Sequence, residues 1–169
     1  GELIKLGLQP TCVLLTHCHF DHVGGAGVLQ QAGAKVICLD KEKPLIGTRS
    51  DLFEEFGVPR SPYYVDETLS DGQQIELCGL KITALSTGGH TVGSACYIFE
   101  DEGGRCLFSG DTLFKNTIGR TDLPTSSIRQ IRESLKKLCE LDDMIVYAGH
   151  GEETTLQDER ENNPFLQDL

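Results

Sequence analysis

The segment Thr16-His17-Cys18-His19-Phe20-Asp21-His22-Val23-Gly24-Gly25 dominates this sequence, because it places three imidazoles and one carboxylate within six residues. It directly follows the apolar run Cys12-Val13-Leu14-Leu15. Histidine is the commonest metal ligand in proteins, and it binds as the neutral ring that prevails near physiological pH. A solvated histidine loop is the alternative, but removing this many polar groups from water without a cation is costly. The segment therefore predicts a metal site at the carboxyl end of a buried strand.

The spacing within the segment allows more than one cation. His17 and His19 stand two residues apart, whereas Asp21 and His22 are adjacent. In an irregular turn, the first two side chains could bind one cation while the last two point at a second. Cys18 lies between two candidate ligands and could be a ligand or a redox thiol. We favour a structural role for it, because its side chain should point away from those of its neighbours.

Three further candidate ligands also follow apolar runs and stand beside glycines, which let the backbone approach closely. These candidates are His90, Asp111 and His150. The chain has five histidines, so every one of them occupies a candidate ligand position.

In combination, the motifs resemble those of the metallo-β-lactamase-fold hydrolases: H-x-H-x-D-H, then a glycine-flanked histidine, then G-D-T, then G-H-G. Three segments are similar to short members like hydroxyacylglutathione hydrolase (glyoxalase II): Gly110-Asp111-Thr112-Leu113-Phe114, Ile118-Gly119-Arg120-Thr121-Asp122-Leu123-Pro124 and Asn163-Pro164-Phe165-Leu166. The resemblance covers nearly the whole chain. It implies a single α+β domain over residues 1–169 with the αββα sandwich, in which two facing mixed sheets are flanked by helices.

The resemblance also implies a dinuclear centre with seven ligands. Six of them form two sets of three, one for each metal: His17, His19 and His90, and Asp21, His22 and His150. Asp111 would bridge the two metals. Nitrogen and oxygen ligands suit two divalent ions, for which Zn²⁺ is the default and iron or manganese is also compatible.

The chemistry implied by the resemblance is hydrolysis. A water that bridges two such cations loses its proton near neutral pH and becomes a hydroxide nucleophile. Asp21 and Asp111 are the candidate catalytic residues, the first orienting this hydroxide and the second bridging the metals. Thr16 and Thr112 are expected to orient the ligands. We expect a thioesterase that acts on hydroxyacylglutathione-like or other small acyl thioesters.

Two alternatives remain open at this point, and a third is disfavoured. A persulfide dioxygenase-like enzyme would hold one iron through His17, His90 and Asp111, although the full second ligand set argues against it. An inactive truncated module is the alternative without enzymatic activity. β-Lactamase activity is disfavoured, because those enzymes generally carry Cys or Ser at the position of Asp111.

Composition narrows the class of partner. The net charge is −11, with 26 acidic and 15 basic residues, so a nucleic acid is disfavoured as a partner. No apolar stretch is long enough to span a bilayer. Seven scattered cysteines without C-x-x-C spacing favour free thiols and the cytoplasm. We therefore expect a small-molecule substrate; the sequence leaves the oligomeric state open.

The chain opens at Gly1-Glu2-Leu3-Ile4, where similar family members carry several preceding strands. We therefore expect these N-terminal strands to be absent and the strand near residues 12–16 to have an unpaired edge. Periodicity and turn signals predict further strands at 35–39, 74–77, 80–85, 95–99, 105–108 and 144–147. The same signals predict helices at 23–31, 51–56, 126–139 and 156–166.

Two local interpretations concern charged residues. Arg120 and Asp122 are expected to pair and hold a loop beside the site, with contact between Arg120 and a substrate carboxylate as the alternative. An acidic cluster near the end of the chain is expected to form a solvated face: Glu152, Glu153, Asp158, Glu159 and Glu161.

Overall fold

The structure is a computed structural model that describes residues 2–167 and residue 169. The helices of this part of the chain are α1 (Glu2–Lys5), α2 (Phe20–Val23), α3 (Ala26–Gln31), α4 (Ile128–Cys139), α5 (Leu156–Asn162) and α6 (Pro164–Gln167), with 3₁₀ helices at Lys43–Leu45 and Arg49–Asp51. The strands are β1 (Cys12–Leu14), β2 (Lys35–Leu39), β3 (Glu67–Leu69), β4 (Gln74–Leu77), β5 (Leu80–Ser86), β6 (Ala95–Asp101), β7 (Gly104–Gly110), β8 (Leu113–Phe114), β9 (Thr117–Ile118), β10 (Ile145–Ala148) and β11 (Thr154–Thr155).

The strands form two main sheets. The smaller sheet has the order β1-β2-β3, and both of its pairings are parallel. The larger sheet has the order β11-β10-β7-β6-β5-β4. It is mixed, because β10 pairs with β7 in parallel and the other pairings of this sheet are antiparallel. The strands β8 and β9 form a separate hairpin. The predicted two-sheet α+β architecture is confirmed, although the smaller sheet is parallel rather than mixed in the described part.

The sandwich follows from the alternation of side chains along each strand. In β2, Ile37 and Leu39 point inward and pack with Ile82 and Tyr97 of the larger sheet. The intervening Val36 and Cys38 pack on the opposite side, with residues of α2 and α3. On the outer face of the larger sheet, α4 buries Leu135 and Leu138 against the core strands. Helices therefore cover both outer faces, as the resemblance implied.

The larger sheet is wider than the smaller sheet that faces it. Phe108 lies directly opposite the buried Tyr97 in the β6–β7 pairing, so both side chains project from the inner face. Phe108 is nevertheless 40% exposed and Tyr147 is 37% exposed, and their ring centroids lie 5.3 Å apart. The strand β1 forms an edge of the described smaller sheet, as expected. An apolar strip of the inner face thus remains uncovered within the described residues.

Two helix predictions were wrong in their extent, and a third predicted helix is absent from the described residues. The helix expected over 23–31 is divided into α2 and α3 at Gly24 and Gly25. The helix expected over 51–56 is absent, because the 3₁₀ helix ends at Asp51 and Leu52 adopts a left-handed conformation with φ of 65°. The terminal helix is divided into α5 and α6 at Asn163. In the part of the chain that the structure describes, none of the helices combines the length and hydropathy needed to cross a bilayer.

Candidate metal centre

Four loops at the carboxyl ends of strands bring the candidate ligands together. The loop after β1, which runs into α2, carries the H-x-H-x-D-H motif, and the loops after β5, β7 and β10 carry His90, Asp111 and His150. The pairings make β5, β7 and β10 run in the same direction, so their carboxyl ends meet at one edge of the larger sheet. The topology therefore places ligands that are far apart in the sequence at one site between the two sheets.

The first group of ligands is formed by three buried histidines, His17, His19 and His90. Their ligand atoms lie within 4.8 Å of one another. Nδ1 of His19 lies 2.9 Å from Nε2 of His90. Nε2 of His17 and Nε2 of His19 are buried without a hydrogen-bond partner. Buried polar atoms normally have a partner, so Nε2 of His17 is suited to a cation, whereas His19 presents its Nδ1 to the position beside His90.

The second group is formed by Asp21, His22 and His150, whose ligand atoms also lie within 4.8 Å of one another. The Nε2 atoms of the two histidines are 3.1 Å apart, and Nε2 of His150 is 3.1 Å from Oδ2 of Asp21. This group is more open to solvent than the first, because the side chains of Asp21 and His150 are 37% and 56% exposed. The second group therefore lies on the solvent side of the centre.

Asp111 lies between the two groups. Its Oδ1 is 3.3 Å from Nε2 of His22, and its Oδ2 is 3.5 Å from Nε2 of His90 and 3.7 Å from Nε2 of His150. One carboxylate thus faces histidines of both groups. This is the arrangement that a bridging ligand requires, and all seven residues singled out in the sequence meet at this centre.

The electrostatics keep the histidines of the first group neutral. Burial, followed by the neighbouring histidines, lowers the pKa of His17 well below its ordinary value, and burial together with His90 lowers the pKa of His19 to about 4. Burial opposes charge on Asp111, but its hydrogen bond and attraction to His22 outweigh burial and lower its pKa. The first group therefore has neutral imidazoles, the form that binds a divalent cation. Burial opposes charge on His22, but the contact with Asp111 outweighs it and raises the pKa of His22, so a cation bound there would displace a proton.

Hydrogen bonds from outside the centre orient two of the rings. Nδ1 of His90 lies 2.9 Å from the backbone oxygen of Arg120, and Nδ1 of His17 lies 3.2 Å from Oγ1 of Thr16. A proton on Nδ1 of His90 leaves Nε2 free to act as a ligand. The hydroxyl of Thr112 instead donates to Oγ1 of Thr87, so the expected contact between Thr112 and a ligand is absent.

Two glycines let the backbone approach Asp111. A Cβ atom added to Gly149 would lie 2.2 Å from Oδ1 of Asp111 and 2.7 Å from Cε1 of His22. A Cβ atom added to Gly119 would lie 1.7 Å from the backbone oxygen of Asp111. All three distances are below van der Waals contact, so the centre has space only for backbone at these positions.

The two predictions about charged residues near the site have different outcomes. Arg120 donates to both carboxylate oxygens of Asp122 at 2.7 and 2.9 Å, which confirms the expected pair. Glu159, in contrast, is 1% exposed, so the prediction that it belongs to a solvated face was wrong. It accepts hydrogen bonds from Thr154, Asn116 and Asn163, and this network holds the chain after β11 against the β8–β9 hairpin.

A cavity of about 450 Å³ opens beside the centre. Five of the seven candidate ligands line it, and the remaining lining is mainly apolar: Phe20, Leu52, Phe56, Phe114, Ile118 and Leu123. Phe56 is 55% exposed, and its ring centroid lies 4.8 Å from that of Phe20. Sequence reasoning missed this wall, because it assigned Leu52 and Phe56 to a helix over 51–56 and gave them no place at the site. The aromatic side chain within the histidine motif was the available signal.

Cys18 is expected to be inert towards thiol reagents. It is 0% exposed, it belongs to neither group of ligands, and its Sγ lies 3.9 Å from the backbone oxygen of Ser50. Burial, followed by the charge of Glu42, raises the pKa of the thiol, and the thiolate is the reactive form. Labelling of the folded chain followed by mass spectrometry should modify the exposed Cys78 and leave Cys18 unmodified until the chain is denatured. Rapid labelling of Cys18 would instead place its thiol in the site.

Comparison with known proteins agrees with this geometry. The family model described as the metallo-beta-lactamase superfamily matches residues 3–150. The hydroxyacylglutathione hydrolase GloC of Haemophilus influenzae is 35% identical over 168 residues, which cover 96% of this chain and 78% of that protein. The crystal structure of TTHA1623 in a di-iron-bound form is 36% identical with a TM-score of 0.83, covering 98% of this chain and 82% of that one. The BLEG-1 B3 metallo-beta-lactamase is 32% identical with a TM-score of 0.89, covering 98% and 81%. Both the sequence and the fold therefore show that the chain belongs to the metallo-beta-lactamase superfamily.

Proposed function

We propose that this chain is a dinuclear metal-dependent hydrolase that acts on hydroxyacylglutathione-like or other small acyl thioesters. The observation that carries the proposal is the pair of three-residue ligand groups with the carboxylate of Asp111 between them. The thioester preference is supported by the relative from Haemophilus influenzae, which is named as a hydroxyacylglutathione hydrolase. Zinc is the default metal, and the di-iron form of TTHA1623 keeps iron as an alternative.

Different residues of the chain would have different roles in hydrolysis. Two divalent cations would supply an activated water and an electrophile for the carbonyl oxygen. His17, His19 and His90 would hold the first cation in the buried part of the centre. Asp21 is partly exposed beside the cavity, so its carboxylate can accept a hydrogen bond from the attacking water and orient it. Water adds to the acyl carbon and the carbon–sulfur bond breaks, giving a carboxylic acid and a thiol.

The lining of the cavity indicates which substrates fit. Among the described residues that line it, Arg120 is the single lysine or arginine, and its guanidinium is paired with Asp122. Most of the other non-ligand residues are apolar, so an apolar part of the substrate can pack against Phe20 and Phe56. The cavity therefore favours a small substrate with an apolar group near the thioester.

Phe56→Ala is expected to raise KM about tenfold for a thioester with a bulky apolar acyl group, because a partly exposed aromatic wall contributes about 1.4 kcal/mol. The same variant should change KM much less for an acetyl thioester. Tyr64→Ala is the control, since Tyr64 is 67% exposed and does not line the cavity. Equal changes in KM for the two substrates would show that Phe56 does not contact the acyl group.

A second candidate function is β-lactam hydrolysis, which the structural similarity to the BLEG-1 B3 metallo-beta-lactamase favours and the carboxylate of Asp111 disfavours. Both reactions cleave an acyl bond with water, so the same centre could serve either. They differ in the leaving group, which is a thiol in one reaction and an amine in the other. A direct comparison of the two substrates therefore separates them.

The test combines elemental analysis with assays on the same purified sample. We expect two metals per chain, hydrolysis of lactoylglutathione and little hydrolysis of a cephalosporin. Cephalosporin hydrolysis without thioester cleavage would establish the second candidate instead. One iron per chain, with persulfide oxidation and no thioester cleavage, would favour the dioxygenase alternative. A chain without bound metal would contradict the proposal and support an inactive module.

A further inference from the structure

Glu42 is a buried carboxylate that lies outside the group of seven ligands. It follows β2 and is 0% exposed. Its Oε1 accepts a hydrogen bond of 2.7 Å from the backbone amide of Cys18, and its Oε2 accepts one of 2.8 Å from Oγ1 of Thr91. Both donors are uncharged, so these contacts do not form an ion pair.

The two donors stand next to metal-centre residues in the sequence. Cys18 lies between His17 and His19, whereas Thr91 directly follows His90. These histidines form the first group of ligands, but the loops that carry them come from different sheets. One planar carboxylate therefore fixes the distance between the two loops on which that group depends.

The local packing is built around this contact. A Cβ atom added to Gly93 would lie 2.3 Å from the backbone nitrogen of Glu42 and 2.5 Å from its Cα. Thr91 is held in turn, because its backbone amide donates to Oγ of Ser94 at 3.0 Å. The loop after His90 therefore closes directly onto Glu42, and its threonine hydroxyl is aimed at the carboxylate.

Other contacts hold the end of β1 but not the ligand loop itself. The hydroxyl of Tyr97 donates to the backbone oxygen of Leu15, and the amide of Ala95 donates to that of Thr16, both at 2.8 Å. Both acceptors, Leu15 and Thr16, precede His17 in the chain. Among the described residues, the amide of Cys18 is the first backbone amide of the ligand motif that donates to another segment, and its acceptor is Glu42.

We propose that Glu42 is a positioning residue of the metal centre: it joins the Cys18 amide to the Thr91 hydroxyl and thereby sets the geometry of His17, His19 and His90. The proposal rests on the metal-binding part of the proposed function and is independent of the substrate. Outer contacts of metal ligands typically change metal affinity by about 10- to 100-fold when they are removed.

Glu42→Met tests this role, because it keeps the length of the side chain and removes both acceptors. We expect competition with a chromophoric chelator to show that one of two Zn²⁺ equivalents binds about 10- to 100-fold more weakly. The Co²⁺-substituted chain should show an altered visible spectrum. Glu159→Met is the matched control, since Glu159 is also a buried carboxylate that accepts from a threonine hydroxyl and a backbone amide. It should destabilise the fold but leave the affinity of the weakened site unchanged.

A second pair of variants covers the case in which Glu42→Met does not fold. Thr91→Val removes the hydroxyl and keeps the shape of the side chain, so it should weaken the same metal equivalent. Thr91→Ser restores the hydroxyl and should restore the affinity. Wild-type affinity in Glu42→Met and Thr91→Val, or equal weakening in Glu159→Met, would overturn the role of Glu42. A wild-type chain that binds no metal would overturn the centre itself, and the two failures are therefore distinguishable.

Discussion

Asp111→Ala is expected to lower kcat/KM by more than about 1,000-fold, which corresponds to about 4 kcal/mol of transition-state stabilisation. The carboxylate lies 3.3 Å from His22 and 3.5 Å from His90, so its removal takes away a charged group that faces both sets of ligands. The variant should bind fewer than two metals per chain. It should also keep the circular dichroism spectrum of the wild type, because Asp111 follows β7 and is outside the apolar core.

Asp142→Ala is the control for this variant. The side chain of Asp142 is 91% exposed and contacts Arg105, away from the metal centre. It should keep both the metal content and the activity. Substantial turnover by Asp111→Ala with two bound metals would contradict the bridging role and the dinuclear mechanism with it.

Gly149→Ala is expected to have a comparably large effect, although it removes no ligand. The added methyl group would overlap Oδ1 of Asp111 and contact the ring of His22. The loop or the carboxylate must then move, and a displacement of about 1 Å can reduce turnover about 100-fold. Elemental analysis and kcat measured on the same sample should show loss of metal and of activity together.

Gly25→Ala is the matched control for this substitution. Gly25 also lies close to the histidine motif, but a Cβ atom added there would have no neighbour within 4 Å, and its φ is −91°. An alanine should therefore be accommodated without loss of metal. If Gly149→Ala retained full metal content and activity, the close approach at this glycine would not constrain the centre.

The candidate ligands were predictable from the sequence because their chemistry is local. The motif between His17 and His22 carries four potential ligands in six residues, and His90, Asp111 and His150 each stand beside a glycine. Histidines and aspartates that cluster in this way have few explanations other than metal binding. The strands were also largely predictable, since β2 and β5 bury alternate or continuous apolar side chains.

Residues whose role depends on distant contacts were not predictable. Glu42 reads in the sequence as one of several charged residues after a strand, and only the fold brings it to Cys18 and Thr91. Glu159 likewise appeared to be part of an acidic surface, whereas Asn116 and Asn163 enclose it. The strands β8, β9 and β11 contain two residues each, which is too short for any periodicity to be visible.

The unpartnered Nε2 of His17 makes the stability of the chain depend on the supply of metal. Without a cation, this buried nitrogen carries a desolvation cost of about 1–3 kcal/mol. A cation that binds only the folded chain stabilises it by about 4.1 kcal/mol when its free concentration is 1,000 times its Kd. The melting temperature should therefore rise with free metal and fall on chelation. Under metal limitation the folded fraction itself decreases, so the abundance of the protein would follow metal availability as well as its activity.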